Sequence, residues 1–261
     1  MMKNICVFLL GCMLSIPGIV WADMLGNPGT QVGEKNLFVG IEYTNIVHIY
    51  DLDTKDLETS SERINLKVTT GLTDWLDVFI RGGGVDLKLD YVQANGASKN
   101  FGSKFKAGFG GGTRIRLLNF VNSGTRVFFQ GGGFFLKTDG DIQWNRLDGS
   151  LFIKERDIKW ADLYASLGIS KRIDYIDLTC GIGFSEIWWE ISDVDVTKSG
   201  TTVSRIPLSK RDSYEIKNPL FGFFGIDFVL PLEYRISAQV GIRNTDEAEF
   251  SISISQGLER D

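Results

Sequence analysis

Little in this 261-residue chain can crosslink, chelate or interrupt a strand: it has three Cys, one His and five Pro. Two of the cysteines, Cys6 and Cys12, lie within the first dozen residues. Cys180 therefore stands alone in the remainder, which excludes a fold stapled by internal disulfides. With His48 as the single histidine, no Cys/His cluster can form a zinc site. Pro219 is the one proline inside a periodic segment, near the start of a predicted strand, where a missing donor is tolerated. After Asp23 no uncharged apolar run approaches the ~18 residues a spanning helix needs, and no stretch sustains a helical period. Basic residues are outnumbered as well, 28 Lys and Arg against 33 Asp and Glu for a net charge of −5, which argues against a nucleic-acid partner. At 43% hydrophobic and 23% charged the chain is neither disordered nor a helical membrane bundle.

The first residues have a different character. Met1-Met2-Lys3-Asn4 opens an uncharged stretch from Ile5 to Ala22, broken by Pro17-Gly18 and closed by Val20-Trp21-Ala22. A basic start, an apolar run and a small-x-small end read as a secretory signal peptide over residues 1–22, with cleavage after Ala22. Residues 23–35 then form a periplasmic lead-in, and residues 36–261 the folded domain. An uncleaved anchor helix is disfavoured by Ser15, Pro17 and Gly18. Lipoprotein processing at Cys12, in Leu9-Leu10-Gly11-Cys12, is disfavoured because the sequence stays apolar as far as Trp21.

What is abundant is glycine, 30 residues, and aromatics, 12% including 18 Phe. Glycine weakens helices by roughly 1 kcal/mol per site and aromatics suit pleated surfaces, so the chain leans to β structure. From Leu37 onward apolar and polar residues alternate with period two. Ala248, Phe250, Ile252 and Ile254 oppose Glu249, Ser251, Ser253 and Ser255; Tyr234 to Ile242 and Phe105 to Leu117 repeat the pattern. Ten strands are predicted, over 37–50, 60–71, 76–91, 104–117, 125–137, 156–171, 175–190, 214–229, 233–243 and 247–257. Short turns at 71–75, 118–124, 171–174 and 230–232 alternate with long polar loops at 51–59, 92–103, 138–155 and 191–213, and a tight Asn244-Thr245-Asp246 turn closes the last pair. Trp75, Phe120, Tyr175 and Tyr234 sit at the short turns. Tyr50, Tyr91, Phe101, Phe135, Trp144, Trp160, Trp188, Trp189 and Tyr214 sit in or near the long loops. Loop asymmetry with two aromatic bands predicts an all-β, antiparallel up-and-down transmembrane β-barrel of about ten strands, within 8–12.

Over residues 36–258, in phrases such as GLTDWLDVFIRGGG and RISAQVGIR, the chain resembles the small outer-membrane β-barrel proteins of Gram-negative bacteria, the OmpA-type, OmpW-type and opacity-type group. The resemblance implies an outer-membrane location, membrane lipid and lipopolysaccharide as surroundings, and insertion by the barrel-assembly machinery. Such proteins commonly end on an aromatic in the last strand, whereas this chain ends Gln256-Gly257-Leu258-Glu259-Arg260-Asp261.

Glycine clusters at 82–84, 110–112 and 131–133 fall mid-strand, where bending, register control or room for long lumen side chains would justify them. Arg81 shares parity with Val85, Leu87 and Leu89. An outward Arg81 would cost roughly 2–4 kcal/mol at a bilayer midplane, so a bulge at Gly82–Gly84 is predicted to turn it inward. The alternation assigns Arg63, Lys67, Lys88, Lys106, Arg114, Arg116, Arg126, Arg235 and Arg243 to the lumen, with Glu42, Asp86, Asp90, Asp162, Asp177, Asp227 and Glu249. Cross-lumen pairing is the default for so balanced a set; a constriction built from Arg114, Arg116, Arg126, Asp162 and Asp177 is the sharper alternative.

No catalysis is expected. His48 lies near Asp51 and Asp53, but no second acidic pair and no Ser two residues away complete a hydrolytic site. Asp51, Asp53, Asp56 and Glu62 do not make a calcium loop, since Lys55 and Asp56 occupy the fifth and sixth positions. No phosphate loop exists, so neither metal nor cofactor is expected. The sequence thus describes a monomeric integral barrel with a structural or passive role and outward loops. Two alternatives stand beside it: a small-solute pore or hydrophobic-ligand barrel, and a soluble periplasmic β-barrel.

Overall fold

The computed structural model describes Val32 and residues 36–52, 55–92, 98–103, 105–146, 149–191, 194–198, 201–206, 219–243 and 247–258. The period-two pattern emerges as strands β1 (Leu37–Leu52), β2 (Lys55–Gly71), β3 (Leu76–Val92), β4 (Ser98–Ser103), β5 (Lys106–Phe120), β6 (Thr125–Arg146), β7 (Gly149–Ile173), β8 (Ile176–Ile191), β9 (Val194–Lys198), β10 (Thr201–Ile206), β11 (Leu220–Val229), β12 (Tyr234–Ile242) and β13 (Ala248–Leu258). Ten of them close a ring in the order β1-β2-β3-β5-β6-β7-β8-β11-β12-β13, and β13 returns to β1 from Leu37↔Leu258 to Ile46↔Glu249. All neighbours in the ring are antiparallel, so the predicted all-β barrel of ten strands is the observed fold, with no open edge in the ring. The other three strands are additions at the long-loop end: β4 bridges β3 and β6 above the start of β5, and the β9–β10 hairpin pairs with β7.

The short turns lie as predicted, with Gly124 in the left-handed region (φ 64°) closing the turn before β6. The long connections differ. Pairing between β1 and β2 runs to Leu52↔Lys55, and between β6 and β7 to Arg146↔Gly149, so most of the stretches expected as loops at 51–59 and 138–155 are strand. The predicted 104–117 strand is β5, β4 lies in the stretch expected as a loop at 92–103, and the strand predicted from 214 is described from Leu220 on.

The predicted bulge at Gly82–Gly84 is absent. β3 pairs without a shift against β2 from Val85↔Arg63 to Ile80↔Val68, and against β5 from Val85↔Lys106 to Ile80↔Gly111. Arg81 is buried nonetheless, because the whole odd-numbered face of β3 points inward, with Val85 and Leu87 as completely buried as Arg81. An apolar side chain here marks the interior.

This follows from a reversal of polarity along the barrel. Near the short turns the outer face is apolar: Ile41 and Tyr43 on β1, Ile64 and Leu66 on β2, Ile80 on β3, Phe129 and Phe135 on β6, Leu163, Leu167 and Ile169 on β7, and Ile182 and Phe184 on β8 are all at least 37% exposed. Moving towards the long loops, the same outer rows continue into Asn45, Glu62, Asp86 and Lys88, Lys137, Lys159 and Glu186. The belt between is about ten residues tall per strand, the length of a tilted bilayer crossing. Inside, the order is opposite. Glu42, Arg63, Asn65, Arg81, Asp162 and Asp177 are buried at or below the belt's upper edge, and Ile46, Val85, Leu87, Leu136, Ile158, Trp160 and Ile187 above it.

The glycines supply seats for aromatic rings. A Cβ at Gly183 would penetrate the ring of Phe221, one at Gly181 that of Phe223, one at Gly108 that of Phe134, and one at Gly112 that of Phe79. These glycines face the lumen, so each ring sits against bare backbone of a neighbouring strand. Gly183→Leu is expected to lower unfolding stability by about 1–3 kcal/mol through overpacking against Phe221, whereas the equivalent change at outward-facing Gly222 is tolerated; urea unfolding followed by tryptophan fluorescence distinguishes the two.

Candidate functional site

A barrel of ten strands encloses little more than its own side chains, and the lumen is where this chain concentrates its buried charge. Arg63 on β2 reaches across to Asp162 on β7, four strands away in the ring of ten, with Nη1 3.5 Å from Oδ2 and both side chains 1% exposed. Its Nε donates to Ser61 Oγ at 3.4 Å. On the β1 side, Glu42 accepts from Arg81 Nη1 at 3.2 Å through one oxygen and from Lys67 Nζ at 3.3 Å through the other. Phe134 joins the two groups: the Arg63 and Arg81 guanidinium carbons lie 4.4 and 4.7 Å from its ring centroid. A desolvated cation over a ring is worth about 2 kcal/mol, and two cations share this one without needing a carboxylate between them. The run Lys67–Glu42–Arg81–Phe134–Arg63–Asp162 thus crosses the lumen.

The opposite half is filled with rings. Phe128, Phe221 and Phe223 form a buried cluster, with centroids 6.4 Å apart for both Phe128–Phe223 and Phe221–Phe223. Arg243 lies over Phe221 at 5.1 Å and donates to Ser185 Oγ at 2.6 Å.

Below this layer a hydrogen-bonded chain descends to the short-turn mouth. Gln130 Nε2 donates to Tyr164 Oη at 3.1 Å, Arg114 Nε donates to Gln130 Oε1 at 3.4 Å, and Arg114 Nη1 stands 3.7 Å from Asp77 Oδ2. The same Asp77 oxygen accepts the backbone N–H of Val32 at 3.1 Å, and Asn36 Nδ2 donates to Val32 O. Val32, 7% exposed, therefore seals part of the mouth from the segment before β1. A cavity of about 60 Å³ lies behind it, bordered by Lys67, Arg114, Asp227 and Arg235.

The five residues predicted for a constriction all face inward, at two different levels. Arg114, Arg116 and Arg126 gather near the mouth, as does Asp177, which sits directly across from Asp227 on the adjoining strand. Asp162 belongs to the bridge with Arg63. The predicted lumen set needs correction: Lys88 lies on the outer surface, paired with Asp86 at 3.4 Å and Glu62 at 3.8 Å. Arg81 faces the lumen as predicted, though without the predicted bulge, and Asp77 and Glu247 are further lumen residues outside the predicted set. Trp160, expected in the outer aromatic band, is buried inside, whereas Phe135, Trp188 and the turn residues Trp75, Phe120, Tyr175 and Tyr234 are exposed. The side chains of Asp90, His48 and the remaining aromatics of that band lie outside the described residues. Among the described residues no group of three His, Cys, Asp or Glu could hold a metal ion.

No protein-family model and no curated protein matches the chain. Solved structures similar to it include the translocator domain of autotransporter NalP from Neisseria meningitidis (TM-score 0.46, 9% identity, covering 87% of this chain and 90% of that one). An outer membrane channel from Pseudomonas putida F1 follows (TM-score 0.44, 10% identity, 90% and 100% covered), and the outer membrane protein OprG from Pseudomonas aeruginosa (TM-score 0.37, 9% identity, 88% and 100%). At these identities the likeness reaches no further than architecture.

Breaking the bridge from one side strands a buried charge, which costs more than removing both partners. Asp162→Ala is expected to destabilise the barrel by about 3–5 kcal/mol, and Arg63→Met combined with Asp162→Leu by clearly less, measured as shifts in the urea midpoint.

Proposed function

We propose that the protein is an integral outer-membrane β-barrel with a structural role, holding long loops at the cell surface above a lumen closed by its own side chains. The observation that carries this reading is the pairing of opposite surfaces on the same strands. Outside, a continuous belt of exposed Ile, Leu and Phe is stable only against an apolar medium. Inside, the Arg63–Asp162 bridge and the rings of Phe134, Phe221 and Phe223 occupy the axis where a solute would pass. The surroundings of the belt are membrane lipid and, in the outer leaflet, lipopolysaccharide; the protein works as a monomer inserted by the barrel-assembly machinery.

Four measurements test it. The protein should remain in the pellet after carbonate extraction of envelopes and migrate faster unheated than boiled; release into the soluble fraction would remove the membrane reading. Ile80→Arg, placing a charge on the outer face of the belt, should cost about 2–4 kcal/mol and reduce the folded fraction in vesicles. In planar bilayers the native barrel should give no stable conductance, whereas replacing both Arg63 and Asp162 by Ala should open one. A steady current through the native protein would make it a pore.

A further inference from the structure

The lumen charges divide unequally along the barrel. In the long-loop half, Arg63, Lys106 and Arg243 face Asp162, Glu247 and Glu249, three against three. In the short-turn half, Lys67, Arg81, Arg114, Arg116, Arg126 and Arg235 face Glu42, Asp77, Asp177 and Asp227, six against four among the described inward residues. The cavity lies in this positive half. Its walls carry three cations, Lys67, Arg114 and Arg235, against the single carboxylate of Asp227.

The remaining wall suits an oxygen-rich guest. Ser237, Ser253 and Ser255 border the cavity from β12 and β13; Ser237 is the register partner of Ser253, and Ser255 that of Arg235. Gly40 separates Lys67 from Ser255 across β1, and a side chain there would press on Ser255 and the Ile254 carbonyl. Arg235 is held by its face, 3.9 Å over the ring of Phe38, which leaves its N–H edge for in-plane acceptors. Its Nε is buried and makes no hydrogen bond. A buried guanidinium nitrogen without an acceptor costs free energy that a bound oxyanion would recover.

We propose that this vestibule is a binding site for one small tetrahedral oxyanion of the inorganic phosphate or sulfate class, held by Lys67, Arg114 and Arg235 with the serine hydroxyls of β12 and β13. A volume of about 60 Å³ admits such an ion. Val32 covers the site on the mouth side through its bond to Asp77. The ion neutralises surplus positive charge beneath the cross-lumen bridge, so the site binds an anion without conducting it.

Calorimetric titration of the purified protein in neutral detergent with sodium phosphate, at constant ionic strength set by sodium chloride, tests the proposal. The expected result is a saturable heat with one site per barrel, competed by sulfate. Arg235→Gln should weaken binding about tenfold or more, the value of one charge-assisted hydrogen bond. Asp227→Asn should tighten it, a direction that mere loss of packing does not produce. The Ser253→Ala/Ser255→Ala pair provides a milder weakening in a variant whose heat-shifted gel mobility verifies folding. Absence of saturable heat, or equal affinity in the native protein and in the folded Arg235 and Asp227 variants, overturns the site.

Discussion

The width of a ten-stranded barrel is the constraint from which the other features follow. The closed ring is too narrow to hold bulk water once Arg and Phe side chains enter, so the interior is packed, and a packed interior demands partners for each charge. Arg63 finds Asp162 on the far wall, Arg81 and Lys67 find Glu42, and Phe134 sits between the two arginines where a further carboxylate would otherwise be required. The aromatic rings need room against the wall, which explains why glycine at 108, 112, 181 and 183 faces the lumen beside specific rings. Gly82–Gly84 on β3 make no bulge, since the ladder there is unbroken.

The reversal of polarity along each strand is the second consequence. Where the outer face meets an apolar medium, burying hydrophobic side chains inside gains nothing over leaving them outside, and polar groups are sequestered in the lumen. Beyond the belt the outer face meets water, and the interior gains buried Ile46, Val85, Leu87, Leu136, Ile158, Trp160 and Ile187 beside the polar Thr59, Ser61, Glu247 and Glu249. Strands of 22 and 25 residues in β6 and β7 are long enough to cross both regimes. The upper core rigidifies the base from which the long loops depart, consistent with the proposed display role.

Much of the lumen was legible, residue by residue, because period two leaves only two faces to choose between. Arg114, Arg116, Arg126, Asp162 and Asp177 all point inward as alternation requires. Their partners were not legible. Asp162 and Arg63 are 99 positions apart, and nothing local says that β2 and β7 stand opposite each other. Arg81 was placed inward for the wrong reason: the rule that apolar means outward fails above the belt, so Val85 and Leu87 suggested a register flip that does not occur. Lys88 and Asp86 were misplaced inward by the same error. Val32 carried no signal at all, since its role is a backbone N–H offered to Asp77.

By itself the sequence determined the strand count, the antiparallel meander and the positions of the short turns, because these depend on alternation and turn chemistry within a few residues. Only the tertiary structure decided which side is inside at each height, which charges pair, and that rings rather than bends account for the glycines. Those outcomes depend on the closure of β1 against β13 and on the medium around each segment, and neither is encoded in any short stretch of chain.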